Sequence, residues 1–438
     1  MKTRIAYIWK LLLGSFWFIP LSIVFVAIML ALGLVYFDAV SEFKPAGAYK
    51  YLLTGGSDAA RSILSTIAGA MIGVAGTVFS ITLVALTMAS SQFGPRLLQN
   101  FMYDRINQIV LGSYIATFIY SIIVLRTVKS IEETKFTPNL SIMFAIMLAV
   151  ANIVLLVVYV HHTALQIQAD QVVAKINAAM RKNLRLLIER EKKFNNVTFS
   201  NEQLEKAFSQ YSIVEKIRTE KNGYLQAVDF DSLLTIATQK NILLIIHFRP
   251  GDFLIIGEEL LRIHSHTKCD ESTVDEIHDC FITGNRRTAT QDADFGIHQM
   301  VEIASRALSP GVNDPYTAIN CIDNLTAIGC YLTQIDFPKP NILDDDKKLR
   351  LITKPLTFEK FIDTAFNQIR QYGSETPAIL IRLMEGLVRI SNYINDEERK
   401  EIIEKHINII LKTAERNLEE EADFNDLLKV YNKYNNES

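Results

Sequence analysis

Cysteine is scarce. Four residues in 438, Cys269, Cys280, Cys321 and Cys330, give neither the density of a disulfide-stapled secreted scaffold nor the spacing of a zinc site. No Walker sequence, GxSxG, HExxH or GxGxxG occurs, so the chain lacks the common signatures of phosphate-loop, hydrolase, zinc-protease and dinucleotide chemistry. No dense basic stripe is present either, and an acidic second half argues against nucleic acid as a partner. Charge is thin at the front. Residues 1–160 hold 11 Lys and Arg against 6 Asp and Glu, whereas residues 161–438 hold 34 against 42. One part is built for lipid and the other for water, which excludes a purely soluble enzyme and a disordered chain.

What fills the uncharged stretches is long and apolar. Lys10 to Asp38 encloses 27 uncharged residues, Arg61 to Arg96 encloses 34, Arg105 to Arg126 encloses 20, and Lys135 to Asp170 encloses 34. About 18 to 20 such residues cross a bilayer. Four transmembrane helices are therefore expected, at about 11–37, 62–92, 106–126 and 139–160. The first follows a basic start, but its apolar core is too long for a signal peptide and no cleavage site follows. Lys and Arg near the helix ends favour both termini in the cytoplasm, by a modest margin. The thiols, expected to be reduced there, agree.

The second span has an unusual face. Thr66, Ala70, Gly73, Thr77, Ser80, Val84, Thr87 and Ser91 alternate four and three apart and so form one seam. Five carry hydroxyls, and Gly69, Gly73 and Gly76 lie on or beside the seam. Close helix packing explains such a face, because small residues let backbones approach and hydroxyls bond across or back to their own helix. A hydrated path lined by several copies is the other explanation. Between the charges that bound each run no Asp, Glu, Lys or Arg occurs, which lowers the prospect of an ion-coupled pump. Pro95 ends or bends this helix.

Beyond the membrane, residues 161–210 read as connecting helices, with the fourth span running on and Ser200–Gln203 forming a capping box. His161 and His162 are adjacent, so on a helix they diverge and do not easily share a metal. Residues 211–268 are short Ile/Val/Leu-rich runs punctuated by KNG and RPGD turns, a β-rich module. Its pattern resembles the barrel-sandwich, biotinyl/lipoyl-like module but lacks the modifiable Met-Lys-Met. Residues 269–438 read as a helical array, with helices at 272–283, 292–308, 315–334, 357–371, 376–392, 395–417 and 420–435. Asp344–Lys348 reads as part of a long loop. The fold class is thus mainly α: a four-helix transmembrane domain (1–160), then an α+β region with a small β-rich module and a C-terminal helical array.

The densest candidate site is 284–320. Asp294, His298 and Glu302 stand four apart on one helical face. Such a row binds a divalent metal or shuttles protons, or else is a polar face with Glu302 paired to Arg306. Arg286 and Arg287 are candidates for an anion at a helix start, or plain surface charges. Gln291 and Asp292 are candidate ligand contacts beside them. In the turn that follows, Asp314 and Pro315 suit a helix start, and Asn313 and Asp314 are further candidate contacts. No catalytic residue is assigned and no cofactor is expected.

Taken together, RSILSTIAGAMIGVAGTVFSITLVALTMASSQFGPRLLQNFMYDR, RPGDF, QDADFG and ALSPGVNDPYTAI resemble the bacterial predicted-membrane-protein family named domain of unknown function 2254, over roughly residues 5–400. The resemblance implies a multi-pass protein of the bacterial inner membrane and implies no activity. From the residues themselves, the first expectation is a homo-oligomer in the lipid bilayer. Its second helix lies near a symmetry axis, conducting an ion or small solute, and a cytoplasmic domain gates or senses a small ligand. The alternative is a non-conducting scaffold or sensor whose cytoplasmic domain binds a ligand or partner protein. A metal-dependent enzyme at Asp294, His298 and Glu302 is a weaker third.

Overall fold

The computed structural model describes residues 15–41, 56–94, 104–129 and 136–437. The chain divides into two compact units, Met1–Gln171 and Val172–Ser438.

Among its described residues the first unit holds four long helices, α1 (Phe18–Ser41), α2 (Gly56–Phe93), α3 (Arg105–Thr127) and α4 (Asn139–Gln166). Each is long and apolar enough to cross a membrane, as the charge-free runs require. The first turns expected at 11–14, and Pro95, lie outside the described residues. α2 begins at Gly56, six residues ahead of expectation. α3 is the centre of the unit and touches the other three helices. Half of its most apolar stretch is buried, against about a fifth for each neighbour. Its Tyr114, Tyr120 and Val124 pack with Leu64 and Met71 of α2 and with Ile142 and Tyr159 of α4.

The fourth span does not run on unbroken. α4 stops at Gln166, and α5 (Ala169–Glu191) starts after a two-residue turn. The Gln168 amide bonds back to the Leu165 carbonyl at 3.3 Å. Asp170 then lies in the first turn of α5, where the helix dipole favours an acidic side chain.

In the second unit, α5 leads to β1 (Asn195–Val197) and α6 (Asn201–Phe208). The capping box forms as expected: the Gln203 amide donates to Ser200 Oγ at 3.3 Å, and the Ser200 amide to Gln203 Oε1 at 2.8 Å. Then come β2 (Ile213–Arg218), β3 (Gly223–Val228), α7 (Phe230–Gln239), β4 (Leu243–Ile246), β5 (Phe253–Leu254), β6 (Glu259–Ser265), α8 (Glu271–Asp279) and β7 (Phe281–Gly284). After α9 (Phe295–Ala307) and α10 (Pro315–Thr333) come β8 (Asn341–Leu343) and β9 (Leu349–Ile352). The chain ends in α11 (Phe358–Tyr372), α12 (Pro377–Ser391), α13 (Glu397–Asn417) and α14 (Glu421–Glu437).

Among the described residues nine strands form two sheets, a six-stranded one in the order β1-β8-β9-β4-β6-β2 and a three-stranded one in the order β5-β3-β7. All neighbours are antiparallel except β4 and β9. The β-rich module therefore does not close within 211–268. It recruits β1 from upstream and β7, β8 and β9 from downstream, in place of a barrel-sandwich built on one segment. The strand pair β8–β9 also replaces the expected long loop, turned by Asp344–Lys348 with Lys347 in the left-handed region (φ 61°). These strands of three or four residues are too short to show a period of two. The helices after 290 match their expected bounds to within about three residues, because each presents a sustained apolar stripe.

Candidate functional site

Two regions carry chemistry. The first is the outer face of α2. All eight seam residues, Thr66 through Ser91, are exposed, while Ala60, Leu64, Ala68, Met71, Ala75 and Val78 on the other side are buried against the unit. The seam is therefore not spent on packing within the chain. A Cβ built at Gly69, Gly73 or Gly76 would meet nothing within 4 Å. Four of the five hydroxyls bond inward to their own helix: Thr66 donates to the Ser62 carbonyl (2.8 Å), Thr77 to Gly73 (3.2 Å), Thr87 to Leu83 (2.9 Å) and Ser91 to Met88 (2.9 Å). That removes the several kcal/mol an unsatisfied polar group costs in hydrocarbon. Large apolar side chains flank the seam on α2 itself, Ile72, Phe79, Leu83 and Met88 among them, and cover the outward surfaces of α1 and α4, where Phe25, Met29, Ile153 and Val157 are exposed.

Behind this face the unit holds a buried polar network. Asn152 Oδ1 accepts from Ser113 Oγ (2.7 Å), its Nδ2 donates to Thr117 Oγ1 (2.7 Å), and its carbonyl accepts from the Tyr114 hydroxyl (2.6 Å). The Tyr159 hydroxyl lies 2.8 Å from Thr82 Oγ1 and donates to the Val78 carbonyl at 2.9 Å. Charged groups sit at helix ends. Asp104 caps α3 through the Ile106 and Asn107 amides, and it also bonds His162 Nε2 (3.0 Å) and Gln166 Nε2. His161, one position away, is exposed, so the two histidines diverge as their adjacency requires.

The second region lies wholly in the C-terminal unit, where two turn segments meet. Arg249–Asp252 closes on itself: the Asp252 amide donates to the Arg249 carbonyl (3.0 Å), and the Arg249 amide to Asp252 Oδ2 (2.9 Å). The turn is pinned to β3 by the Gly251 amide on the Leu225 carbonyl (2.8 Å) and the Leu225 amide on the Asp252 carbonyl (2.9 Å). Gly251 takes φ +103°, and a Cβ on it would sit 2.7 Å from the Asp292 carboxylate. Only glycine lets the turn lie against that acid.

Residues 287–294 complete the junction. Arg287 grips Asp292 with two bonds, Nε–Oδ2 2.6 Å and Nη2–Oδ1 2.9 Å. Burial disfavours charge on Arg287, but the Asp292 carboxylate outweighs it and holds the guanidinium above its usual pKa. Gln291 bridges the Val228 backbone, accepting from its amide (2.9 Å) and donating to its carbonyl (3.1 Å). Arg249 pairs with Asp294 Oδ2. Burial pushes the Asp294 carboxyl up, ahead of the opposing pull of Arg249 and Arg287. Asp294 Oδ1 is buried and has no hydrogen-bond partner among the described residues. Beside these groups opens a cavity of about 60 Å³, walled by Phe194, Phe230 and Phe248 and also lined by Arg190, Lys339 and Lys354.

The family described as predicted membrane protein, domain of unknown function 2254, matches residues 14–389. The chain belongs to this family. Similar proteins include one from Mycobacterium bovis and one from Mycobacterium tuberculosis, both described as uncharacterised. Each is 30% identical over 383 residues, which covers 85% of this chain and 72% of the relative. No solved structure matches. This family member is a membrane protein with four apolar helices, as its sequence indicates.

Of the candidate ligand residues, the fold brings Arg287, Gln291 and Asp292 together and leaves the others apart. The Arg286 side chain is exposed, and its carbonyl accepts from Gln226 Nε2 at 2.7 Å. Asn313 turns the chain with φ 48°. Asp314 caps α10 by accepting from the Thr317 amide (3.1 Å) and hydroxyl (2.5 Å). Among the described residues, no group of three or more His, Cys, Asp or Glu side chains is arranged to hold a metal ion, the Asp294, His298 and Glu302 row included. Arg249 is the residue that sequence reasoning passed over, because RPGD reads as a turn and its acidic partner lies 45 positions away.

Proposed function

We propose that this protein is a homo-oligomer whose copies meet along the outer face of α2, making a channel-like path for an ion or small solute in the bacterial inner membrane. The C-terminal unit serves as the cytoplasmic gating or sensing domain, with both termini on that side. The observation that carries this reading is the exposure of the whole Thr66–Ser91 seam. In lipid no hydrophobic force drives helices together, so a face of mostly small residues, with four hydroxyls satisfied by their own helix, suits close approach by another helix.

Thr77→Cys tests the association. Oxidative crosslinking in native membranes should give a covalent dimer, while Val150→Cys, on the large-residue face of α4, should not. Monomer alone from both variants sinks the proposal. Flux from liposomes then tests conduction, with wild type compared to Thr77→Leu and Ser80→Leu. A flux that the leucine variants change while the assembly persists supports a path along the seam. Crosslinking without flux favours the second reading, a non-conducting scaffold or sensor. The inward-bonded hydroxyls of Thr66, Thr77, Thr87 and Ser91 suit that reading, because packing needs no more from them.

A further inference from the structure

The cavity in the C-terminal unit has an uneven charge inventory. Asp292 is matched by Arg287 and Asp294 Oδ2 by Arg249. Three cations that line the cavity are not matched in this way. Lys339 and Lys354 are exposed and make no ion pair among the described residues, and Arg190 reaches only Asp231, 3.9 Å away. Two unpaired lysines and an arginine with one distant, exposed partner over one opening suit a dianion better than a single carboxylate.

The interior asks for something else. Phe194, Phe230 and Phe248 make an aromatic and apolar wall, suited to a ring or other apolar body. Asp294 lines the same space, is almost fully buried (5% exposed), and keeps Oδ1 without a partner. An unpaired buried carboxylate oxygen is an expensive feature. A ligand N–H or O–H donor would satisfy it. Gly251 keeps the floor in place, because the Arg249–Asp252 turn reaches Asp292 only without a side chain at that position.

We infer that this cavity is a binding site for an organic phosphate. One edge of its apolar body enters the cavity of about 60 Å³ against Phe194, Phe230 and Phe248, a donor on that edge meets Asp294 Oδ1, and its phosphate stays at the opening, held by Arg190, Lys339 and Lys354. A free nucleoside monophosphate and a phospholipid headgroup share the phosphate and the apolar body, and the nucleoside alone adds the donor for Asp294 Oδ1. The inference stands whether or not α2 forms a conducting path.

The experiment is equilibrium binding to the full-length protein in detergent, read by isothermal titration calorimetry with GMP, guanosine and inorganic phosphate as probes. A second arm uses nanodiscs with and without phosphatidic acid, read by the unfolding temperature. Saturable GMP binding, with guanosine and inorganic phosphate each at least about tenfold weaker, supports a soluble ligand. A higher unfolding temperature that requires phosphatidic acid, with no GMP binding, supports a lipid source of the same chemistry. In either arm Lys339→Gln combined with Lys354→Gln should weaken binding about tenfold or more. Both lysines are exposed and unpaired, so this variant should fold as wild type does. Asp294→Asn should reduce GMP affinity more than inorganic phosphate affinity. No response in either arm, or a response untouched by the lysine pair, overturns the inference.

Discussion

At the scale of the residue, Gly251 and two buried histidines make the sharpest predictions. Gly251→Ala places a Cβ against the Asp292 carboxylate at a φ that L residues rarely adopt. It should destabilise the protein by about 1–3 kcal/mol, seen as a lowered unfolding temperature. His264 is buried between aromatic rings, stacked on Phe208 with centroids 5.0 Å apart, and neither ring nitrogen has a hydrogen-bond partner among the described residues. Burial lowers its pKa. Burial also lowers that of His406, ahead of the opposing Asp363 carboxylate 3.0 Å away. A depressed histidine stays neutral in the fold while the unfolded chain binds the proton, so stability holds above about pH 6.5 and falls as the pH drops below it. Denaturant unfolding followed from pH 7.5 to 5 should show that loss, and His264→Phe should flatten part of it. An unchanged slope would remove His264 from the account. Neither effect was legible in the chain. A lone His in an apolar run does not reveal whether a partner waits, and Gly251 reads as an ordinary turn glycine until Asp292, 41 positions on, is found against it.

At the scale of the element, the ends of the helices matter as much as their faces. Asp38, in the last turn of α1, is buried and caps α4. It accepts from the Leu140 amide (3.0 Å), the Ser141 amide (2.9 Å) and Ser141 Oγ (2.7 Å). Asp38→Ala should therefore lower stability in detergent by about 1–2 kcal/mol, and Asp38→Asn by less, because it keeps one acceptor. Equal losses would show that charge, and not acceptance, is what α4 needs. From sequence Asp38 only marked where a span stops. The spans themselves were legible because charge-free runs of that length have one common use. The α4–α5 break was not, since Leu165–Asp170 keeps a helical pattern of apolar residues across it. The strands β7, β8 and β9 were missed for want of length, and so the module around β2–β6 looked self-contained. Asn152 had a weak signal, for Ser113 and Thr117 on α3 lie four apart and present hydroxyls on one face. What makes it a network is α4 beside them.

At the scale of the whole molecule, the two units answer to different solvents. The first leaves large apolar side chains outward on α1, α2 and α4, with a narrow, mostly small-residue seam between them on α2. Gly73→Leu would close that face without touching the buried side of the helix. The mass of the detergent-solubilised protein, measured by light scattering, should fall towards that of one chain. An unchanged mass would place any self-association elsewhere. α2 is 38 residues long, about 57 Å at the helical rise, and the seam alone extends over more than the hydrocarbon thickness. From Ser62 to Phe93 it carries no ionisable side chain. A membrane potential performs about 2.3 kcal/mol of work per 100 mV on each elementary charge that crosses the field. On this stretch of α2 there is no side-chain charge to move, so voltage has no handle on it. Any voltage that reshapes the α2 face must act on charges at the helix ends, such as Asp38, Arg105 and Arg126, and reach α2 mechanically through its neighbours.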